Sequence, residues 1–344
     1  IDQNGNYSCF NFKKLSFQKI KLPTNSTLHY NSLTQQLFAI NNTEIVQIIN
    51  HNNKLLTISI LKFKAQLDYK ITAIYYDSKN QFLYIGTEKD GLFSTSLANP
   101  TVFVSMSPNG PVRNYIFRVK KASNYLWAVY GDYSRQYNPY ALDEFGISKY
   151  SNDNGWELIP YDDLFQAKSI CDIVINPNNQ NQVFATSYFS GLLKIEGEDI
   201  ELFNNTNTGP NGLESLVVSG SPSYIDIRIN SPAFDKDGNL WVTNAFVNRA
   251  IKVLRSNGQW QSYSLAGIAP TVATGRYGPM AIDKNKTKWV PSINDGLIAF
   301  NDNYNNKFIV INTTNGNLPD NDVRCVAVDN RNQLWIGTFA GLRT

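Results

Sequence analysis

Short runs of alternating apolar and polar residues recur along this chain in a fixed internal order. The clearest copy is Val323-Arg-Cys-Val-Ala-Val-Asp329, a polar turn Asn330-Arg-Asn-Gln333, Leu334-Trp-Ile-Gly-Thr338, and then Gly341-Leu342. Period-two alternation sends successive side chains to opposite faces of a strand. The unit therefore reads strand, tight turn, strand, short loop, strand. Further copies run over Ile71 to Leu92, Ile170 to Leu192, Ile225 to Val253 and Gly278 to Leu297, with two degenerate copies over Leu28 to Ile48 and Tyr115 to Ile147. One aromatic marks the second strand of each copy: Phe38, Tyr84, Trp127, Phe184, Trp241, Trp289 and Trp335, at spacings of 46, 43, 57, 57, 48 and 46 residues. The runs are too short, and too rich in β-branched residues, for solenoid helices.

A period of this length with four strands per unit is the signature of a propeller. The expected fold is all-β, a seven-bladed β-propeller of four-stranded antiparallel blades spanning residues 1–344 as one domain. Outer fourth strands are visible at Asp199 to Phe203, Gln259 to Tyr263 and Lys307 to Ile311, and Leu55 to Leu67 is read as the outer strand of the first blade. The final copy lacks one. The stretch Tyr7 to Leu22 is expected to supply it and so remove an open sheet edge; alternatively it belongs to a preceding domain. The chain opens on Ile1 rather than Met, so a fragment of a larger protein is expected.

In such blades the connections between first and second strands lie on one face. The loops between second and third strands, and the crossings between blades, lie on the other. The long segments fall in the second class: a loop at Gly131 to Asp143, and crossings at Thr101 to Val112, Asn204 to Ser223 and Ala266 to Gly275. Function concentrates on loops held by a rigid scaffold, so this face is the expected working surface. Its candidate ligand or partner contacts are Tyr130, Tyr133, Arg135, Tyr137, Tyr140, Arg249, Arg276 and Tyr277. Tyr and Arg offer flat amphipathic area with hydrogen-bonding ends, suited to sugar or protein contacts.

Composition narrows the chemistry. Lys and Arg total 31 against 28 Asp and Glu, a net charge of +3, without the dense basic stripe that nucleic acid requires. No apolar run is long enough to span a membrane as a helix. The three cysteines, Cys9, Cys171 and Cys325, lie far apart and are expected to be buried thiols; with only His29 and His51 no zinc spacing exists and no metal or cofactor is expected. Asp235-Lys-Asp-Gly-Asn239 begins like a calcium loop, but it aligns with the hairpin turns of the other copies and is read as a hairpin. Two histidines cannot furnish a credible nucleophilic triad. Asp143-Glu144 and Asp162-Asp163 are the candidate acid/base pairs for a lyase or glycosidase, which needs carboxylates facing each other across a cleft.

The motif from Asp329 to Leu342 resembles the two-component-regulator propeller repeat, found in glycan-sensing periplasmic halves of hybrid regulators; Asn315 to Val323 fits that family too. The long middle blades resemble the PorZ-like propellers of the Bacteroidetes type IX secretion system. The segments that carry this are Tyr137 to Tyr140, Gly146 to Tyr150, Asn154 to Trp156, Phe234 to Trp241 and Met280 to Phe300. That resemblance implies a non-catalytic protein at the cell surface, associated with the outer membrane. Its implied partners are a sortase, an outer-membrane barrel and anionic lipopolysaccharide. The regulator repeat implies instead a periplasmic sensor.

Overall fold

A computed structural model describes residues 6–11, 16–41, 43–62, 70–88, 91–106, 109–269, 275–305 and 307–344. The chain divides into two compact units, residues 1–109 and 110–344. Among the described residues the only helical element is a three-residue turn at Asp162–Leu164, so no helix is long and apolar enough to cross a membrane.

The first unit opens with a hairpin, β1 (Asn6–Asn11) and β2 (Ser16–Lys21). Two four-stranded antiparallel sheets follow. The first holds β3 (Thr27–Asn31), β4 (Gln36–Ile40), β5 (Glu44–His51) and β6 (Lys54–Lys62); the second holds β7 (Ile71–Asp77), β8 (Phe82–Thr87), β9 (Leu92–Ser96) and β10 (Asn99–Ser105).

The second unit continues the series. Its third sheet has β11 (Arg118–Lys121), β12 (Leu126–Val129), β13 (Ile147–Ser151) and β14 (Gly155–Ile159). The fourth has β15 (Ile170–Asn176), β16 (Asn179–Phe189), β17 (Gly191–Glu196) and β18 (Asp199–Phe203). The fifth has β19 (Ile227–Phe234), β20 (Leu240–Asn244), β21 (Ile251–Leu254) and β22 (Trp260–Tyr263). The sixth has β23 (Ala281–Ile282), β24 (Lys288–Ser292), β25 (Gly296–Asn301) and β26 (Lys307–Ile311). The last has three strands, β27 (Val323–Val328), β28 (Leu334–Thr338) and β29 (Gly341–Arg343). The long β16 overruns its own sheet, and Tyr188 and Phe189 pair with Arg228 and Ile227 of β19.

All seven marker aromatics lie in second strands, as the repeat requires. In the second unit the first strands of successive sheets touch one another, β11 to β15 to β19 to β23 to β27. The core is a series of interfaces between neighbouring sheets. Trp127 and Val129 of the third pack with Ile173 and Leu193 of the fourth; Phe184 of the fourth packs with Leu240 of the fifth; Trp241 of the fifth packs with Phe300 of the sixth. The Gly-Leu of the repeat also has a physical cause. Gly191 and Gly296 open third strands at φ of 114° and 94°, where a Cβ would lie 2.2 Å from a neighbouring carbonyl oxygen.

Three expectations need correction, and two others reach beyond the described residues. Tyr7 to Leu22 is a hairpin rather than one strand, with Asn6 opposite Lys21 and Asn11 opposite Ser16; Ile20 and Leu22 pack on Ala39 and Val46 of the first sheet. Thr101 to Val112 is not simply a crossing, since Asn99–Ser105 is the fourth strand of the second sheet and pairs with β9. The outer strand of the first sheet is described only to Lys62, and Pro270 to Thr274 of the Ala266 to Gly275 crossing also lie outside the described residues. Cys325 is exposed, because a register shift between Val323 and Cys325 turns it out of the sheet interface; Cys171 is buried, and the Cys9 side chain lies outside the described set.

Candidate functional site

The loop-bearing ends of the strands in the second unit converge on the tyrosine-rich segment after β12. Tyr133 and Tyr137 stack at 4.6 Å and 14°, with Tyr188 at 4.9 Å and Phe117 edge-on at 5.0 Å from Tyr133. Asn230 Nδ2 donates to Tyr133 Oη at 3.1 Å and to the Tyr277 carbonyl at 3.0 Å. Arg324 donates to the Arg135 carbonyl at 2.5 Å, and the Arg135 guanidinium lies 3.6 Å from the Phe339 ring centre. The loop thus ties the third, fourth and fifth sheets together through phenol rings, and the last sheet through Arg135. Burial pushes the Tyr133 hydroxyl far up, and that of Tyr137 up to about 12, so both stay neutral.

Several sequence candidates therefore serve packing. Tyr130, Tyr137 and Tyr277 are buried, and Tyr133 is half-buried within this cluster. Tyr130 donates to Ser148 Oγ at 2.5 Å. Arg249 is engaged elsewhere: it donates to the Pro210 carbonyl at 2.6 Å and pairs with Glu214 at 3.1 Å. Glu214 also receives the ammonium of Lys252, whose side chain is fully buried and whose pKa burial lowers to about 8. Arg249 and Lys252 thereby fasten the long crossing between the fourth and fifth sheets.

Tyr140 and Arg276 remain, and the structure joins them through residues the sequence did not single out. Tyr140 is 49% exposed and Tyr224 37% exposed; their hydroxyls are hydrogen-bonded, and Phe189 meets both edge-on at 6.5 and 6.4 Å. Arg228 lies 5.9 Å from the Tyr140 ring centre and 4.9 Å from that of Phe246. Arg276 lies 5.2 Å from the same Phe246 ring. A strip therefore runs Tyr224, Tyr140, Arg228, Phe246, Arg276, alternating rings with guanidinium groups. Phe246 holds the left-handed conformation at φ 62°, as does Tyr137 at 56°. A bulky residue there is an outlier, and such strain collects at functional sites.

The arginines of this face differ in their partners. Arg118 pairs with Asp172 at 3.5 Å, Arg228 with Asp226 at 2.8 Å, and Arg324 with Asp322 at 2.5 Å. Arg276 has no carboxylate partner among the described residues, and its buried Nε has no hydrogen-bond acceptor. An unpaired guanidinium is what an incoming anion would neutralise. Of the missed residues, Arg228 had one usable signal: like the candidate Arg276, it stands near the entry to a first strand, thirteen residues before the marker Trp of its repeat.

The carboxylate pairs considered for acid/base work are occupied singly. Asp143 accepts the Asp132 N–H and lies 3.6 Å from Arg113, whereas Glu144 pairs with Lys168 at 2.7 Å. Asp162 and Asp163 are neighbours on one short helical turn. Asp163 lines a cleft together with Glu157 and Glu198 of the third and fourth sheets. Among the described residues no group of three His, Cys, Asp or Glu converges for a metal.

Comparison with known proteins agrees on the fold. A family model described as "Two component regulator propeller" matches residues 317–340. No curated protein sequence matches the chain. Among solved structures it resembles PorZ, an essential bacterial surface component of the type-IX secretion system of Porphyromonas gingivalis, with a TM-score of 0.69 and 18% identity over 98% of this chain and 46% of that one. It also resembles the extracellular domain of a putative one-component system of B. thetaiotaomicron, with a TM-score of 0.50 and 15% identity over 93% of this chain and 38% of that one. The chain thus spans less than half the length of either. It is an all-β chain built from propeller-type sheets, in the manner of PorZ.

Proposed function

We propose that the chain is a non-catalytic binding propeller, its seven repeats forming seven blades, displayed at the cell surface within a type IX secretion attachment complex. On this reading it holds anionic polysaccharide, lipopolysaccharide included, for delivery to a sortase, and meets an outer-membrane barrel among its protein partners. The likeness in fold to PorZ supports the setting. The observation that carries the binding role is Arg276, a guanidinium with no anion of its own at the end of an exposed aromatic strip. Rings take the apolar faces of sugars, and the guanidinium takes the acid group.

The test is binding of purified lipopolysaccharide bearing an anionic polysaccharide to wild type, Arg276→Gln and Tyr140→Ala across a salt series. Loss of one charge-assisted hydrogen bond, about 1.5–3 kcal/mol, corresponds to roughly ten- to a hundredfold weaker binding for Arg276→Gln, with a shallower salt dependence. Equal affinity of both variants and wild type would refute the strip as the site. A second reading is a glycan-sensing propeller of a membrane regulator, favoured by the regulator-propeller match at residues 317–340. A gene continuing into a membrane span and a kinase would establish it over the first.

A further inference from the structure

The indole of Trp127 breaks a rule that three other tryptophans of the repeat obey. Trp241, Trp289 and Trp335 give their Nε1–H to an aspartate at the start of the preceding turn, Asp235 at 2.8 Å, Asp283 at 3.1 Å and Asp329 at 3.4 Å. The turn before Trp127 is one residue shorter. Lys121 pairs with Leu126 there, where Phe234 pairs with Leu240 in the fifth sheet. The place of the aspartate falls to Ala122. Its N–H still closes the turn on the Tyr125 carbonyl at 2.8 Å, as that of Asp235 does on Asn239 at 3.0 Å, but its side chain offers no acceptor. Trp127 is 5% exposed, and its Nε1 is buried with no hydrogen-bond partner. Buried donors are nearly always paired, so an orphan in a native fold needs a reason.

The same tryptophan lines a cleft of about 470 Å³ between the third and fourth sheets. That volume lies within the range of small-ligand sites, about 300–1,000 Å³. Tyr125 stands edge-on to Trp127 at 5.9 Å. The turn of the fourth sheet contributes Asn179, Gln180 and Asn181, and Lys149 and Glu196 complete the rim. Lys149 is already balanced by Glu157 at 3.8 Å, and the Glu196 carboxylate by Lys194 at 3.9 Å, with Asn179 and Gln182 donating to it, both at 2.8 Å. The cleft thus offers aromatic walls, amides that both donate and accept, and no unbalanced charge. Those features suit an uncharged sugar, whose C–H faces lie on rings while its hydroxyls both donate and accept.

We propose that this cleft binds a neutral oligosaccharide, and that a sugar oxygen accepts the Trp127 Nε1–H in place of the missing aspartate. Nε1 is covered, so binding on this proposal requires the half-buried Tyr125 ring, which stands edge-on to Trp127, to turn aside. The cleft lies at the turn-bearing ends of the strands, the ends opposite those that carry Arg276, so this site stands apart from the proposed polysaccharide strip.

The test titrates the 344-residue chain with maltotriose, cellotriose and mannotriose while following the indole ¹H–¹⁵N resonances, with Trp127→Phe identifying the peak. At least one sugar is expected to shift the Trp127 resonance saturably. Trp127→Phe keeps a ring but drops the N–H, and should weaken that sugar about tenfold, the worth of one hydrogen bond. Because it also removes an orphaned donor, its thermal midpoint should stay closer to wild type than that of Trp241→Phe. Asn181→Ala, on the exposed rim, should give a comparable loss of binding and decides the matter if the tryptophan variant unfolds. Arg276→Gln should leave this binding unchanged. The proposal is overturned if no sugar moves the resonance, or if the cleft variants that stay folded bind as wild type does.

Discussion

Asp235→Ala tests the turn clasp where it is most deeply buried. Asp235 Oδ1 accepts the N–H groups of Asp237 at 2.9 Å and Asn239 at 3.0 Å, while Oδ2 accepts Asn239 Nδ2 at 2.9 Å and Trp241 Nε1 at 2.8 Å. Trp241 is fully buried and Asn239 is 7% exposed, so water cannot replace the lost acceptor at either side chain. Two orphaned donors at about 1–3 kcal/mol each give a loss of roughly 2–6 kcal/mol. For a cooperative unit the size of residues 110–344 that is a fall of roughly 5–15 °C in Tm. Thermal and urea unfolding followed by tryptophan fluorescence would read it. Asp329→Ala is the control: its carboxylate is solvent-exposed, its Trp335 is 40% exposed, and its indole contact is 3.4 Å. Its midpoint should stay near wild type. If the two variants shift Tm equally, the argument from burial fails. A pH series adds a second reading. Burial raises the Asp235 pKa, but the bonds from Trp241 and Asn239 outweigh it and the net shift is downward. The stabilisation is therefore present above the ordinary carboxylate pKa of about 3.9 and is lost as pH falls through the lower folded value.

Removing the buried ammonium with Lys252→Met, which leaves Glu214 paired to Arg249, should change stability by less than about 1.5 kcal/mol in either direction. Glu214→Gln leaves Lys252 without its partner and should cost about 3–5 kcal/mol by chemical denaturation at pH 7. Wild-type stability should also rise with pH between about 8 and about 10.5, because the folded state sheds the Lys252 proton before the unfolded chain does; Lys252→Met should lack that rise. Tyr137→Ala should lower stability by about 3–5 kcal/mol, as large core truncations do, whereas exposed Tyr140→Ala should leave unfolding within about 1 kcal/mol of wild type and lower polysaccharide binding instead.

The strands were legible because their periodicity is local. Each marker aromatic, each Gly-Leu and each polar turn announces one hairpin from within a dozen residues. The hairpin at β1 and β2 was less legible: nothing near Lys13-Lys14 says whether one strand or two will form. The site was legible by face and obscure by residue. Loop length placed the insertions at one end of the strands, but whether a tyrosine is surface or core depends on distant neighbours. Tyr133 is covered by Tyr188 and Asn230, which lie in other sheets. Tyr140 escapes burial three residues after Tyr137, on the same loop. Phe246 and Arg228 look ordinary in sequence and matter only because Arg276 meets the same ring.

The repeat makes departures meaningful. In a chain of copies each position carries its own control: Asp235, Asp283 and Asp329 show what an indole of this series requires, and Ala122 shows where the requirement goes unmet. Arg118, Arg228 and Arg324 show likewise that guanidinium groups on the loop-bearing face are answered by aspartate, and among the described residues Arg276 has no such answer and keeps a buried Nε without an acceptor. Both departures cost stability, since a buried donor or charge without a partner is penalised. Neither is forced by topology, because a neighbouring copy solves the same local problem. Conflicts of this kind persist where function offsets them. One departure leaves a cation and the other a neutral donor, and they stand at opposite ends of the strands. A propeller that keeps both is suited to holding two chemically different ligands at once, so saturating either site should leave the affinity of the other unchanged. Competition between an anionic polysaccharide and a neutral trisaccharide would contradict that separation.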